Sequence, residues 1–188
     1  MKTASEENRF SWANIGSYIR NNLCPQKRVF KEVNIKPGAN VLDFGCGAGN
    51  YALAAAKQVG VAGKVYALDK QPVVLKTVHN KADKQGLKNI ETILSDYSTR
   101  LPDASLDFIF LFDIFHLLDY PEKYLAEFQR VLKSDGQLCV KDHHLKPDDM
   151  VMRIALSGQF IINKQGKWVL LFKNILSNAF PRVYTTPG

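Results

Sequence analysis

Gly45, Gly47 and Gly49 stand at alternate positions directly after the apolar run NVLDF (40–44), and Asp43 lies two residues ahead of the first of them. Glycine lets a backbone turn tightly and lets a ligand approach the amides closely. A phosphate against a helix N-terminus is the usual occupant of such a turn. Here the Asp43 carboxylate would repel a pyrophosphate, and the spacing is G-x-G-x-G rather than the G-x-G-x-x-G of dinucleotide sites. The same carboxylate suits a cationic amine. The turn therefore points to a zwitterionic ligand.

Two more acids stand where a nucleoside could use them. Asp69 ends the next apolar run, KVYALD (64–69), 20 residues after Gly49. An acid at the end of a second strand can accept hydrogen bonds from both ribose hydroxyls. Asp96, in NIETILSD (89–96), closes a third run and could take the exocyclic amine of adenine. Amine, ribose and adenine without phosphate describe S-adenosylmethionine.

Candidate proton acceptors are few. His116 follows a fourth apolar run in DIFHLLD, and His143 and His144 follow a fifth in VKDHHLKPDD. An imidazole near neutral pH can accept a proton, so His116 and His143 are the catalytic candidates. Cys24, Cys46 and Cys139 form no CxxC and no zinc spacing, which predicts free thiols and a reducing, cytoplasmic setting. Cys46 stands in the glycine turn for its small size.

The elements that must position these residues follow from hydropathy. NVLDF, KVYALD, NIETILSD, LDFIFLFD (106–113) and GQLCVKD (136–142) read as strands. YALAAAKQV (51–59), PVVLKTVHNKADKQG (72–86) and PEKYLAEFQRVLK (121–133) read as helices, two of them opening on proline. Strands alternating with helices imply right-handed crossovers and a parallel sheet covered on both faces. DDMVMRIALSG (148–158) adds a helix, and QFIINKQGKWVLLFKN (159–174) reads as a hairpin around KQGK. The first strand's carboxyl end then places the glycine turn in the crevice where ligands of open α/β sheets bind.

At these residues the chain resembles the class I S-adenosylmethionine-dependent methyltransferases, in their type 11 small-molecule branch, from about Pro37 to Lys173. VLDFGCGAGNY is similar to that family's first motif, KVYALDK to the second and ILSDYSTRLP to the third. LDFIFLFDIFHLLDYPEKYLAEFQRVLKSDGQL resembles its fourth-strand block with the helix and turn that follow. The resemblance implies an α/β fold: a Rossmann-like, doubly wound, seven-stranded sheet, mostly parallel, with a C-terminal antiparallel hairpin strand. It implies a single domain with an N-terminal helical cover (1–36) laid over the sheet's carboxyl edge, a cofactor-binding core (37–174) and a tail (175–188). It further implies that Asp43 anchors the cofactor's amino group while Gly45, Cys46, Gly47 and Gly49 line its methionine tail. Asp69 would hold the ribose with Lys70 beside it, Asp96 and Tyr97 would bracket the adenine, and Asp113 would lie under the sulfonium. No metal is expected, because the Asp-Asn pair of the metal-dependent members is missing after the fifth strand.

Composition bounds the rest. The net charge is +7, and residues 1–40 and 141–188 each carry seven Lys/Arg against three Asp/Glu. That basic rim is compatible with attraction of an anionic substrate, RNA or a membrane surface, and equally with a solvated surface that keeps the protein soluble; if the asymmetry is functional, the small acceptor is expected to be anionic. No apolar stretch is long enough to span a membrane, and MKTASEENRFSW lacks the apolar core of a secretory signal. An RNA enzyme would carry an appended binding module or aromatic platform, for which 188 residues leave little room. The expected function is methyl transfer to a small molecule, by a monomer or homodimer, leaving S-adenosylhomocysteine. An RNA or protein methyltransferase, or a cofactor-binding protein without catalysis, is the alternative.

Overall fold

The computed structural model describes residues 26–175. In chain order these form α1 (Gln26–Val33), β1 (Asn40–Phe44), α2 (Asn50–Val59), β2 (Lys64–Asp69), α3 (Pro72–Lys84), β3 (Ile90–Leu94) and β4 (Leu106–Phe112). A 3₁₀ turn (Phe115–Leu117), α4 (Pro121–Val131), β5 (Leu132–Lys141), α5 (Pro147–Leu156), β6 (Phe160–Gln165) and β7 (Leu170–Asn174) complete them. The strands make one sheet in the order β3-β2-β1-β4-β5-β7-β6. β1 to β5 pair in parallel, and β7 enters antiparallel between β5 and β6. The expected doubly wound sheet with its terminal hairpin is the one observed. Strand order reverses between β1 and β4, so the crevice at their carboxyl ends is the switch point where a ligand fits.

β4 shows why the sheet is double-faced. Phe110 and Phe112 point to one side and Ile109 and Leu111 to the other, the two-residue period of a strand. The phenylalanine side is covered by α1, α2 and α3, through Phe30, Ala52, Ala56, Val74 and Val78. The other is covered by α4 and α5, through Leu125, Phe128, Met150 and Ile154. The alanines of α2 bring its backbone close to β1, which seats the glycine turn tightly on the strand end.

α1 does not lie over the carboxyl edge, as the resemblance implied for this region. It packs on the sheet face beside α2, with Phe30 stacked on Phe110 at 5.6 Å and tilted against Tyr51 at 6.1 Å. Val29, Phe30 and Val33 form a buried apolar stripe, and a sheet face removes it from water better than a polar rim does. Glu32 ties the helix to the β6–β7 turn by accepting the Lys167 and Trp168 amides at 3.1 and 3.0 Å. The segment expected to cover the acceptor, around Trp12–Tyr18, lies outside the described residues, as do Cys24 and residues 176–188. Among the described residues no helix is long and apolar enough to cross a membrane.

Two boundaries move. β5 begins at Leu132, directly after α4, and reaches its register with β4 through an irregularity between Leu106 and Phe108. The connection from β3 to β4 holds no helix, and α4 pins it instead. Thr99 is fully buried and gives its amide and hydroxyl to Glu127 at 2.9 and 2.6 Å. Arg130 donates to the same carboxylate at 2.8 and 2.9 Å, and to Leu101 O and Asp103 at 2.9 and 2.5 Å. The Arg130 hydrogen bonds above all, with those from Thr99 and despite partial burial, hold Glu127 down to about 2.

Replacing Glu127 with glutamine should therefore cost stability at neutral pH. Leaving groups such as the Thr99 donors short of a charged acceptor costs about 1–3 kcal/mol. Because the folded-state pKa lies below the ordinary 4.5, the advantage of the ionised carboxylate is complete above that value and disappears as pH falls toward 2. Urea unfolding of wild type and Glu127→Gln across this range should show the gap closing; a constant gap would assign the effect to packing.

Candidate active site

The glycine turn is held from beneath by β2. Gly45 and Cys46 both donate their amides to Leu68 O, at 2.8 and 3.0 Å, and Gly49 donates to Cys46 O at 2.9 Å. Gly47 N–H donates to Asp69 Oδ2 at 3.2 Å, and Gln71 N–H to Asp69 Oδ1 at 3.0 Å. The amides that would cradle a phosphate are thus already used inside the turn, which agrees with the reading of G-x-G-x-G as a site for something else. Each Asp69 oxygen accepts one amide and keeps a lone pair, so the half-buried carboxylate can still take hydroxyl donors.

Two glycines are needed for different reasons. At Gly45 (φ +70°) a Cβ would fall 2.7 Å from Ile114 Cγ1, because the chain leaving β4 crosses directly over the turn. At Gly47 (φ +50°) a Cβ would meet nothing within 4 Å and would project into open space. Gly47 also lines a cavity of about 170 Å³, together with Asp43, Gly45, Tyr51, Phe112 and Asp113. A larger cavity of about 770 Å³ lies along α1 and α2, with Lys27, Lys31 and Lys57 in its wall; it shares Asn50 with the glycine-turn cavity but none of the acids or glycines of the site.

Asp43 is buried, and its Oδ2 accepts the Ala52 amide at 2.9 Å. Burial pushes its carboxyl up to about 7; the Ala52 bond opposes this and the neighbouring Asp69 charge adds to it. A single amide bond leaves the remaining acceptor capacity without a positive partner, so the pocket suits a cationic ammonium group. Cys46 is a buried thiol raised well above its ordinary value, first by burial and then by Asp43 and Asp69. It is inert filler in the turn, as its size suggested.

The expected nucleoside contacts divide. Lys70 and Asp96 are exposed at the carboxyl ends of β2 and β3. Tyr97 turns toward α4, edge-on to Tyr124 at 6.3 Å with Lys123 Nζ 5.1 Å from its ring. The residue after Asp96 therefore leans on the helix covering the opposite face of the sheet.

The histidines are paired with acids, a pattern hidden in the sequence. Asp113 follows β4 directly and Lys141 ends the adjacent β5, the Asp113 amide donating to Lys141 O at 2.7 Å. Asp113 is held at φ +57°, an uncommon conformation for a side-chain-bearing residue. Its Oδ1 accepts the His143 amide at 3.0 Å and lies 2.5 Å from His143 Nδ1. Beside it, Asp142 Oδ2 lies 2.8 Å from His116 Nδ1 and also accepts the His116 amide at 3.0 Å, while Oδ1 takes the His144 amide at 2.9 Å. Burial alone would raise Asp142, but the His116 ring and the two amides outweigh it and hold the carboxyl below its ordinary value. A carboxylate beside Nδ1 favours the tautomer that carries its proton there, which in a neutral imidazole makes Nε2 the acceptor. The His116 and His144 rings lie 4.2 Å apart. Among the described residues no group of three or more His, Cys, Asp or Glu is placed to hold a metal ion.

Residues 35–172 match the family described as a methyltransferase domain. The chain belongs to the class I S-adenosylmethionine-dependent methyltransferases. A crystal structure of an S-adenosylmethionine-dependent methyltransferase from Aquifex aeolicus is 33% identical, with a TM-score of 0.72 over 84% of this chain and 93% of that one. The demethylmenaquinone methyltransferase of Geobacillus stearothermophilus is 34% identical over 120 residues, 63% of this chain and 51% of that protein. Its counterpart from Listeria welshimeri is 33% identical over 119 residues, 62% and 50% of the two chains. This methyltransferase chain spans about half the length of those two relatives. Its cofactor is S-adenosylmethionine, and the residues at the switch point fit one: a buried acid short of a cation, a cavity at Gly47, and an Asp69 carboxylate with acceptor capacity left.

Lys141 was not singled out as a site residue from sequence, nor was Asp142 as the partner of a histidine. The signal was present as two charges closing the apolar run LCVKD, but only strand pairing shows which acids they face. In the ligand-free methyltransferase domain the Asp43 carboxyl should titrate near pH 7 by carbon-13 NMR, against an ordinary 3.8. Since the folded value is the higher one, stability should fall as pH rises through that interval. A midpoint near 4 would mean that water reaches the carboxyl.

Proposed function

We propose that this chain transfers the methyl group of S-adenosylmethionine to a small-molecule acceptor. The observation that carries the reading is the pair of acid-oriented imidazoles after β4 and β5, His143 on Asp113 and His116 on Asp142, of which Asp113 also lines the glycine-turn cavity. When bound, the cofactor supplies a methyl carbon on a positive sulfur that is open to in-line displacement.

Asp43 would receive the cofactor's ammonium group, and Gly45, Cys46, Gly47 and Gly49 would leave room for its methionine tail. Asp69 would accept the ribose hydroxyls, with Lys70 at the rim and Asp96 and Tyr97 on the adenine side. Asp113 lines the same cavity and would lie nearest the transferring group. Holding two reactants in line is worth about 7–11 kcal/mol. His116 or His143 would take the acceptor's proton where the acceptor must lose one. Relatives named for demethylmenaquinone support a small-molecule acceptor. Lys141 and Lys167 beside His143 support one that is anionic or becomes so. The free, buried thiols Cys46 and Cys139 favour a reducing, cytoplasmic compartment.

Calorimetry with S-adenosylhomocysteine tests the cofactor site directly. Gly47→Val should lose measurable binding while the domain stays folded, at a cost of about 1–3 kcal/mol for the left-handed backbone. Normal binding would place the ligand elsewhere. Wild-type affinity should also rise between pH 6 and pH 8, because an ammonium group beside Asp43 draws off a proton that the free protein holds below about 7. For turnover, a panel of hydroxylated arenes, amines and carboxylates incubated with methyl-labelled S-adenosylmethionine should yield labelled small molecules. Label found only in added RNA or protein would overturn the acceptor class.

A further inference from the structure

The cavity along α1 and α2 holds about 770 Å³, the size of a small-molecule pocket, and none of the residues assigned to methyl transfer lines it. Phe30, Ile35 and Leu53 give it an apolar floor. Lys27 and Lys31, one turn apart on α1, and Lys57 on α2 stand exposed in its wall. Among the described residues no acid lines this cavity, and none of the three lysines has a hydrogen-bonding or ion-pair partner. The acids adjoining it in sequence are engaged elsewhere. Glu32, the one acid of α1, accepts the Lys167 and Trp168 amides, and Asp83 of α3 pairs with His79 and Lys88. Like charges one turn apart destabilise a helix, so three ammonium groups around one cavity oppose folding. A bound anion reverses that repulsion.

Charge is only part of the wall. Five carboxamides complete it, from Gln26, Asn34, Asn50, Gln58 and Gln85. Gln58 Nε2 donates to Ile35 O at 3.3 Å, which leaves its carbonyl oxygen as an acceptor. Asn34 Oδ1 accepts Lys36 Nζ at 2.9 Å, which leaves its amide hydrogens as donors. The cavity thus offers cations, paired donors and acceptors, and an apolar floor together.

We infer that this cavity binds a nucleoside polyphosphate, at a site separate from the cofactor's. Phosphate oxygens match lysines contributed by two helices. A flat base covers the apolar floor, and its edge carries the mixed donors and acceptors that asparagine and glutamine side chains pair with. The alternatives match less of the wall. An alkyl phosphate leaves the carboxamides without partners, and an inorganic phosphate leaves the floor uncovered. The two sites also differ in sign. Asp43 and Asp69 at the glycine turn repel a polyphosphate, whereas three lysines attract one here. The assignment holds whatever the methyl acceptor is.

Calorimetric titration of ATP into the full chain saturated with S-adenosylhomocysteine tests this, because the occupied cofactor site cannot take the adenosine. ATP should bind with an affinity that falls as salt rises. Lys31→Glu and Lys57→Glu should each weaken it by about tenfold or more, the effect of losing one charged contact. Lys76→Glu, the same charge change at an exposed position of α3 outside the cavity, should match wild type. Adenosine and tripolyphosphate, each carrying half of the ligand, should both bind more weakly than ATP. Equal affinity for tripolyphosphate would show that charge alone is read and would overturn the assignment. Unchanged affinity in both lysine variants, or displacement of S-adenosylhomocysteine by ATP, would place the nucleotide elsewhere and overturn it too. A chain that binds S-adenosylhomocysteine but not ATP loses this site alone and keeps its cofactor site.

Discussion

A carboxylate with almost no contact with water organises this protein's ligand-binding edge. Asp43, next to last in buried β1, faces the first turn of α2, and its bond from Ala52 N–H joins the two across the glycine turn. Burying an acid that has a single hydrogen-bond partner is unfavourable, which is why its carboxyl sits near 7. The surrounding fold tolerates that cost because strand, turn and helix are fixed independently. Leu68 O takes two amides of the turn, Asp69 takes a third, and Ile114 closes over Gly45. The acid is left as a preformed demand for positive charge in a cavity shaped by glycine.

The same logic of neighbouring strand ends builds the second half of the site. β4 and β5 run in parallel with Phe112 opposite Lys141, so the residues that follow each strand emerge side by side. Asp113 then meets His143, and Asp142 meets His116, each acid reaching a histidine from the other strand's loop. Neither pair could form if the register shifted by one residue, since alternate residues of a strand point to opposite faces. Backbone donors reinforce both pairs, because the amides of His116, His143 and His144 all end on these carboxylates.

The parts that hold the edge in place are distributed over both faces. On one, α1 seals the sheet beside α2 and is fastened to the β6–β7 turn through Glu32. On the other, the Thr99–Glu127–Arg130 network replaces a crossover helix between β3 and β4 and brings Tyr97 against α4. The carboxyl end of β3 is therefore flanked by a docked loop, and those of β4 and β5 by paired acids and histidines.

Alternating apolar runs, proline-led helices and the KQGK hairpin were enough to read an open parallel sheet that ends in a hairpin; the seven-stranded order, with an antiparallel strand beside β5, was what the family resemblance implied. Backbone period and turn chemistry are local properties, and a sequence displays them directly. Asp43, the glycines and Asp69 were legible for the same reason: each stands at a strand end or in a turn whose position the pattern dictates. What needed the tertiary structure were partnerships between distant residues. Lys141 reads as a charge at the end of a strand, and only packing reveals that it is buried against His143 and Asp113. The α1 stripe announces an apolar face without saying which surface it covers, and nothing in ILSDYSTRLP shows that Tyr97 turns toward α4. Local sequence determines which elements form and which residues end them, whereas strand order and helix packing decide which of those ends meet.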